Sequence, residues 1–404
     1  MKRYKKKMKT KQLPKDWKEV ELGVLGEIVT GNTPPMKNSE NYGGKTPWIK
    51  PPNLDKEKYL SASETYLSYT GVKNSRLLPK GSVLVSCIGN IGKVAIAGVE
   101  LCTNQQINGI VPNKNTLSEF LFFVIKKNQR KIEAKASKAV VPLLNKREFS
   151  KVRVLFPFKN NKPDLETQKK IVAILEKAEQ LKQKREEAIR LLEDYVKSVF
   201  NEMFLGKGFE KFNFEELCFF ENGDRGKNYP SDHTKDNVGV PFINAGDFIN
   251  EKISNSKLNY IREEQYKKLS SGKFKKGDLI FCLRGSIGKF AFNKNISKGA
   301  IASSLVIIRP MEKITSEYLI YFLKTPFFQN SIKKYDASSS QPNLSAKNVK
   351  SFKVPLPPLP LQQKFASIVE HVEKLKEKQM KSKEELDNLF NALMQKAFKG
   401  ELVG

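Results

Sequence analysis

Histidine and cysteine are scarce in this chain of 404 residues, which has two histidines and four cysteines. The cysteines form no CxxC pair, so a zinc site is not expected, and histidine-activated nucleophiles have little to work with. Cys87 and Cys282 lie in short apolar runs and are predicted to be small buried core residues.

Long apolar segments are also missing. The longest runs, such as Phe120–Ile125 and Leu305–Ile308, fall far short of the ~20 residues that a membrane-spanning helix needs. The start, Met1–Lys11, is basic and has no apolar segment behind it, which does not fit a signal peptide. Reduced thiols and the lack of an export signal predict a cytoplasmic protein with no membrane partner.

Motifs for catalysis and for cofactor binding are not found. Gly89–Lys93 and Gly285–Lys289 lack the leading glycine and the following Ser or Thr of a Walker A loop, so glycine turns between strands are predicted. No Gly-x-Gly-x-x-Gly follows a strand and opens a helix. Asp164, at a linker-to-helix junction, is better explained as a helix cap than as part of a nuclease core. We therefore predict no catalytic residue, no metal and no cofactor in this chain.

Acidic residues are outnumbered, with 43 Asp and Glu against 72 Lys and Arg, which gives a formal net charge of +29. This excess favours an anionic partner, either nucleic acid or a membrane surface. A genome that prefers lysine codons is the alternative source of part of the charge. The length and a hydrophobic content of 39% predict two folded domains.

An internal repeat is the clearest feature that is present. Lys80-Gly81 with Gly89–Lys93 returns as Lys276-Gly277 with Gly285–Lys289, about 196 positions later. In both copies short β-rich runs lead to a helix, and Ser118 and Ser316 are the expected N-caps. A basic protein with pseudo-two-fold symmetry suggests duplex DNA as its partner.

Each copy ends in a proline-marked linker and a long charged helix. The helices are expected from about Glu166 to Phe204 and from about Leu361 to Phe398, closed by Gly206 and Gly400. Apolar residues at spacings of three and four favour an antiparallel coiled-coil pair about 57 Å long. Where the apolar stripe weakens in mid-helix, the surface is either solvated and rich in ion pairs or a docking face for other subunits.

The chain resembles the specificity subunit of type I restriction–modification enzymes over nearly its whole length. The most specific segment is Ser338–Phe365, with the sequence Pro-Leu-Pro-Pro-Leu-Pro-Leu-Gln-Gln at its end; Val140–Ile171 repeats it more loosely. Pro241–Phe248 and Lys276–Leu279 also resemble family signatures. The first copy departs from the pattern, because Ser82 stands where the family has an aspartate.

The resemblance implies an α/β (α+β) fold with two tandem β-rich target recognition domains, separated by two long antiparallel coiled-coil helices in a pseudo-two-fold repeat. The boundaries expected are 1–158 and 207–356 for the recognition domains, and 164–206 and 360–400 for the helices. Each domain would read one half of an asymmetric bipartite site in double-stranded DNA, and the helices would set the spacer, with an upper limit near ~17 base pairs.

The resemblance also implies partners. Two methyltransferase subunits would dock on the helices, and restriction (translocase) subunits would join them. S-adenosylmethionine, ATP and Mg would be used by those partners. Two other functions remain open from the residues alone: a non-catalytic scaffold or adaptor of a nucleic-acid complex, and a self-sufficient nuclease.

The residues predicted to contact DNA are polar or basic and lie on expected turns. In the first copy they are Asn32, Thr33, Lys50, Asn53, Asn90, Lys93, Gln105, Gln106 and Asn145. In the second copy they are Arg225, Lys227, Asn244, Asp247, Arg284, Ser286, Lys289, Ser339, Gln341 and Asn343. The glutamine pair is suited to adenine and Arg284 to guanine. Ordinary turn hydrogen bonding is the alternative for these residues, and helix capping is the alternative for Asn145 and Asn343.

Overall fold

The computed structural model describes residues 16–137, 140–230, 238–254, 258–336 and 344–403. The chain divides into two compact units, the first comprising Met1–Glu186 and Lys381–Gly404 and the second Glu187–Met380. Each unit contains one β-rich domain, called here the first and second domain. Because both divisions fall inside the long helices, each unit also contains a part of each helix.

The helices of the described chain differ greatly in length, and two of them exceed ten turns. They are α1 Leu22–Leu25, α2 Tyr69–Lys73, α3 Ser118–Glu133, α4 Lys146–Ser150, α5 Leu165–Phe204, α6 Phe214–Leu217, α7 Glu263–Lys268, α8 Ser316–Leu323, α9 Pro326–Asp336, α10 Ala346–Lys350 and α11 Leu359–Ala397. The two long helices, α5 and α11, begin and end within two residues of the predicted positions.

The strands of the first domain are short, as their β-branched runs between Gly, Pro and Asn predict. They are β1 Trp17–Glu21, β2 Gly26–Thr30, β3 Tyr42–Ile49, β4 Tyr59–Leu60, β5 Tyr66–Leu67, β6 Leu77–Leu78, β7 Val83–Ser86, β8 Val94–Ala97, β9 Leu101–Thr103, β10 Ile107–Pro112, β11 Arg153–Lys159 and β12 Lys162–Pro163. They form sheets of order β2-β10-β7-β8-β4, β5-β3-β9-β6 and β1-β11-β12.

The second domain repeats this plan with small changes. Its strands are β13 Lys211–Asn213, β14 Cys218–Asn222, β15 Val240–Ile243, β16 Phe248–Ile249, β17 Lys252–Ile253, β18 Asn259–Ile261, β19 Lys273–Lys275, β20 Leu279–Cys282, β21 Phe290–Phe292, β22 Lys298–Ile301, β23 Leu305–Pro310 and β24 Lys353–Pro355. The sheets have the orders β14-β23-β20-β21-β17-β16, β18-β15-β22-β19 and β13-β24. β14, β23, β20 and β21 correspond to β2, β10, β7 and β8 of the first domain.

The central strand of each domain is buried on both faces, which explains its continuous apolar sequence. In β7, Val83 and Val85 pack in the cluster that contains α3, while Leu84 packs in a separate cluster with Ile49 of the neighbouring sheet. Side chains alternate between the two faces of a strand, so each face joins a different layer. In β20 the same alternation sends Phe281 toward α8 and the intervening residue toward the second sheet.

Both long helices contribute to the core of each unit. In the first unit Phe398, which directly follows α11, packs on Phe120 of α3 with ring centroids 5.6 Å apart. In the second unit Phe204 of α5 packs on Tyr318 of α8 at 4.9 Å. These aromatic contacts hold each domain on its helices by burial of large apolar surfaces.

Ion pairs show that the two helices run antiparallel within the first unit. Lys182 pairs with Asp387 at 2.6 Å, and Lys383 pairs with Glu186 at 3.2 Å, so numbers rise along one helix as they fall along the other. In the second unit, Lys376 pairs with Glu193 in the same way. Mid-helix ion pairing, one of the two alternatives for the weakened stripe, is therefore present.

The predicted fold class is confirmed, whereas two predicted helix caps are wrong by one residue. Leu117 occupies the N-cap position of α3, and Ser118 instead donates its hydroxyl to the carbonyl oxygen of Gly81 at 2.7 Å. Thr315 caps α8, its hydroxyl accepting from the N–H of Tyr318. The glycine caps after the long helices are confirmed, since Gly206 and Gly400 have φ of +72° and +70°.

Candidate nucleic-acid interface

The predicted contact residues of the first domain follow the carboxyl ends of its strands. β2 and β7 both pair antiparallel with β10, so their carboxyl ends lie at the same edge. The N–H of Cys87 donates to the carbonyl oxygen of Gln106 (2.8 Å), and that of Asn104 donates to Ile49 (3.0 Å), which joins the turns of both sheets. We call these turns, residues 31–33, 50–53, 87–93, 104–106 and 143–145, the turn edge of the first domain.

The second domain has an equivalent turn edge, formed by residues 223–225, 244–247, 283–289, 302–304 and 344–345. Here the N–H of Leu283 donates to Ser304 (2.9 Å) and that of Ala302 to Ile243 (2.9 Å). The N–H of Leu344 donates to Leu283 (3.0 Å), the counterpart of a bond in the first domain. These backbone bonds of the edge are therefore repeated in both domains.

A glycine is required at the start of each turn edge. A β-carbon on Gly31 would collide with the backbone oxygen of Asn104, and one on Gly223 would collide with that of Ala302. The close approach of two backbones explains why both copies of the repeat have a glycine directly after the strand, β2 in the first domain and β14 in the second.

Asn32 is fastened to the protein through both ends of its amide. Its Nδ2 donates to the carbonyl oxygen of Asn74 (2.7 Å), and its Oδ1 accepts from the Ser75 hydroxyl (3.2 Å). The hydroxyl of half-buried Thr33 donates to Oε1 of exposed Gln105. The structure thus gives Asn32 an anchoring position and places the Thr33–Gln105 pair at the surface.

The other glutamine and the 50–53 turn are also engaged within the domain. Oε1 of half-buried Gln106 accepts from Nδ2 of Asn104 at 2.9 Å. Asn53 closes its turn by accepting from the N–H of Lys50 at 2.9 Å. Nζ of Lys50 lies 4.6 Å from the ring centroid of Trp48, which is buried. The contacts of Asn53 and Lys50 hold the 50–53 turn in a defined conformation.

Asn90 lies at the tip of a turn that is closed by a serine. The Ser86 hydroxyl donates to the carbonyl oxygen of Asn90 (2.6 Å) and accepts from the N–H of Lys93 (3.0 Å). Gly89 and Gly92, with φ of +73° and +87°, allow the reversal that was predicted from the sequence. The side chain of Asn90 is exposed at this tip.

Asn145 caps α4, accepting from the N–H of Glu148 at 2.9 Å. Helix capping, the alternative to DNA contact, is therefore present at this residue. Its counterpart Asn343, together with Ser339 and Gln341, lies outside the described residues.

Asp224, which is not among the residues predicted to contact DNA, anchors the first turn of the second domain. It is only 3% exposed and accepts from the N–H of Gly226 (2.7 Å) and from the N–H and hydroxyl of Ser270. The Gly226 N–H is the main reason why the pKa of Asp224 lies below its usual value. Asp224 follows the glycine as Asn32 does in the first domain, and that correspondence could have identified it. Next to it, exposed Arg225 donates to the carbonyl oxygen of Ser303 (3.1 Å).

Three predicted residues of the second domain form one cluster. Asp247 accepts from the N–H of Asn244 (2.8 Å), and Nζ of Lys289 donates to the carbonyl oxygen of Ala245 (3.1 Å). Burial raises the pKa of Asp247, although the Asn244 N–H and the charge of Lys289 act against this. The cluster joins the 244–247 turn to the 283–289 turn.

The remaining described candidates, Lys227, Arg284 and Ser286, are exposed on the turn edge or on the loop that follows its first turn. Arg284 and Ser286 flank Gly285, whose φ is +76°. The geometry therefore presents a positively charged, exposed turn in the second domain where the first domain presents Asn90.

One buried glutamine holds each domain on the long helix that follows it. Oε1 of Gln168 in α5 accepts from the N–H of Leu117 (2.9 Å), and its Nε2 donates to Asn115 (3.0 Å). In α11, Gln362 makes the same bonds to Thr315 (2.9 Å) and Lys313 (3.1 Å). We call each arrangement a glutamine clamp. The sequence marked these glutamines only as part of a motif and gave them no role.

The described residues contain no group of three or more His, Cys, Asp or Glu side chains that could hold a metal ion. Within the same residues, no helix is long and apolar enough to cross a bilayer.

The fold and the repeated turn edge define a class of protein with two tandem β-rich domains, each held on long antiparallel helices. The family described as type I restriction modification DNA specificity domain matches residues 14–191 and 206–388. The chain belongs to this family and carries its domain twice, which confirms the predicted relationship to specificity subunits.

Individual relatives agree with the family. The chain is 28% identical to the MjaIX specificity subunit of a type I restriction enzyme from Methanocaldococcus jannaschii, over 97% of this chain and 94% of the relative. It is 34% identical to the HindI specificity subunit from Haemophilus influenzae, over 41% of this chain and 37% of that relative.

Solved structures share the fold at lower identity. A chain from a type I R-M system, solved to explain its assembly and conformational transition, has a TM-score of 0.62 and 19% identity, over 97% of this chain and all of that chain. The S subunit from M. genitalium has a TM-score of 0.55 and 16% identity, over 96% of this chain and 98% of its own length.

Proposed function

We propose that this specificity subunit reads an asymmetric bipartite site in double-stranded DNA, one half with each turn edge, from the major groove. The observation that carries the proposal is that corresponding backbone hydrogen bonds join the turns of both edges, while the side chains on those turns differ. Asn53 corresponds to Asp247 and Asn90 to Ser286, and one end of the turn changes from Ile88 to Arg284. Two turn edges with similar backbones and different side chains suit a DNA site whose two halves differ in sequence.

The exposed side chains have the chemistry that base readout needs. A glutamine amide can bond both N6 and N7 of adenine, and an arginine can bond both O6 and N7 of guanine. Gln105 and Arg284 are therefore the main candidates in the first and second domains. Lys50, Lys93 and Lys289 supply positive charge around them, which suits phosphate contacts that position the duplex.

The long helices set the spacer and dock the partners in this proposal. Large apolar side chains lie on their exposed faces, among them Leu191 at 53%, Tyr195 at 53% and Met380 at 55% exposed. Exposure of such side chains to water is unfavourable, so these faces suit a protein partner. We propose that two methyltransferase subunits bind these faces and that restriction (translocase) subunits join them. S-adenosylmethionine, ATP and Mg are used by those subunits, and this chain contributes specificity without an active site.

The test is a genome-wide map of N6-methyladenine in cells that express this chain with an active methyltransferase partner. The expected result is a bipartite motif with a fixed gap that disappears without this chain. Arg284→Ala should weaken or relax one half of the motif only, by about 10- to 100-fold in methylation rate, since a bidentate contact discriminates by about 1–3 kcal/mol. Arg130→Ala, an exposed arginine on α3, is the matched control and should leave the motif unchanged.

An unchanged map with a demonstrably active partner would contradict the proposal and favour the scaffold function. Cleavage of DNA by the purified chain alone would favour the nuclease. Loss of both half-motifs in the Arg284 variant would show that the two domains do not read independently.

A further inference from the structure

A run of exposed apolar residues lies beside the polar turn edge of the first domain. Val140 is fully exposed, Val141 is 57% exposed and Leu143 is 45% exposed, and Pro142 between them is exposed as well. Single exposed apolar residues are ordinary, but four in succession on one loop call for a partner. We call residues 140–143 the apolar loop.

Backbone hydrogen bonds fix the apolar loop against the turn edge. The N–H of Gly89 donates to the carbonyl oxygen of Pro142 (3.0 Å), and Ile88 and Leu143 form an antiparallel bridge. The base of the loop is closed by a bond from the N–H of Ser137 to Leu143 (2.9 Å). The loop therefore sits next to Asn90 and does not extend away from the domain.

The chemistry around the loop points to duplex DNA as its occupant. Exposed basic residues flank it, with Lys135 before it and Lys146 and Arg147 after it. The N–H of Cys87, one residue from the bridge, is bonded to the main-chain carbonyl oxygen of Gln106, so the apolar loop lies on the same edge as the 104–106 turn, where the side chain of Gln105 is exposed. An A·T pair presents the same combination in the major groove, because adenine offers N6 and N7 while thymine offers a C5-methyl group.

We infer that Val140 and Val141 contact thymine methyl groups, so that the first domain's half-site is read partly by apolar contact. This inference rests on the proposed DNA-reading function. The second copy has Ser339, Ser340 and Gln341 near the matching place in the sequence, so its half-site should depend on polar contacts there. The two halves would then differ in the kind of contact as well as in the bases that they accept.

The experiment uses the assembled complex of this chain with its methyltransferase subunits and a duplex that contains the mapped site. Thymine is replaced by uracil, which lacks only the methyl group, in one half-site at a time. Affinity is measured by fluorescence anisotropy at one fixed salt concentration. Wild type should bind about three- to fivefold more weakly for each contacted thymine that is replaced in one half-site, the effect expected for one buried methyl group.

The combined variant Val140→Ser and Val141→Ser should bind thymine and uracil duplexes equally in that half-site. Its response to changes in the other half-site should match that of wild type, which shows that the complex is folded. Val24→Ser, the same substitution at another exposed valine of the first unit, is the matched control and should keep the wild-type preference for thymine.

The inference is overturned if wild type does not distinguish thymine from uracil in either half-site, or if the combined variant keeps the preference. A mapped half-site that contains no A·T pair beyond the methylated one would also overturn it. Failure of the proposed function looks different, because the complex would then not distinguish the mapped site from a scrambled duplex.

Discussion

Replacing Gln362 by methionine should loosen the second domain from α11. Methionine has nearly the length and volume of glutamine, so the packing is kept while the polar groups are removed. The side chain of Gln362 is completely buried and makes three hydrogen bonds, to the N–H of Thr315 (2.9 Å) and the carbonyl oxygens of Lys313 (3.1 Å) and Pro357 (2.8 Å). All three groups lose this partner in the variant.

The expected cost follows from these bonds. A hydrogen bond contributes about 0.5–1.5 kcal/mol to stability, and a buried group left without a partner costs more, so the variant should lose about 2–4 kcal/mol. The loss should appear first at the N-terminus of α8, where Thr315 is the cap. A free-energy change of about 1.4 kcal/mol changes an equilibrium constant tenfold, so the equilibrium constant for local opening should increase about 30- to 1000-fold.

Hydrogen exchange resolved by residue measures this opening directly. The amide of Thr315 and the first turn of α8 should lose protection by that factor, while the central strand β20 stays protected. Gln363→Met is the matched control, since its side chain is exposed one position along the same helix and exchange should not change. Equal exchange in both variants would refute the clamp, and loss of protection throughout the domain would show a general stability effect instead.

Three further predictions concern stability, thiol reactivity and DNA affinity. Asp278→Ser should destabilise the second domain by about 2–4 kcal/mol in guanidinium titrations, because buried Asp278 holds Arg309 in two bonds of 2.6 and 2.7 Å. The first domain has Ser82 and Val111 at the corresponding positions, so adding Arg309→Val should recover part of the loss. Burial raises the pKa of Cys87 and Cys218 to about 12, so thiolate is scarce below that pH and disulfide reagents should label folded protein slowly even at pH 9, with fast labelling only after unfolding. The logarithm of the DNA affinity of the assembled complex should fall steeply and linearly with the logarithm of salt concentration, and a flat response would contradict phosphate contacts.

The predicted helix caps show that local sequence patterns identify some capping residues and not others. Asp164 accepts from the N–H groups of Glu166 and Thr167, two and three positions ahead, which is the local pattern expected of a helix cap. Ser118 looked equally suitable, yet its hydroxyl bonds Gly81, 37 positions earlier in the chain. Capping propensity describes only neighbouring residues, and a partner that far away in sequence is invisible to it.

The candidate site could be placed by sequence but not sorted by role. The repeat located the turns correctly, because turn residues and strand periodicity are local patterns. It did not separate Asn32, which is bonded to Asn74 and Ser75, from the exposed Gln105 on a neighbouring turn. An asparagine on a turn has the same chemistry whether its partner is the protein or a base.

The amino-acid sequence by itself determined the duplicated β-rich domains, the two long helices and the family, since hydrophobic periodicity, proline and glycine positions and motif spacing are recorded locally. The tertiary structure alone decided which polar residues are anchors, such as Asp224 and the two clamp glutamines, and which side chains reach the surface. It also brought the apolar loop beside Asn90. The physical reason is that these roles depend on contacts between segments that lie tens of residues apart, and only the folded backbone sets those distances.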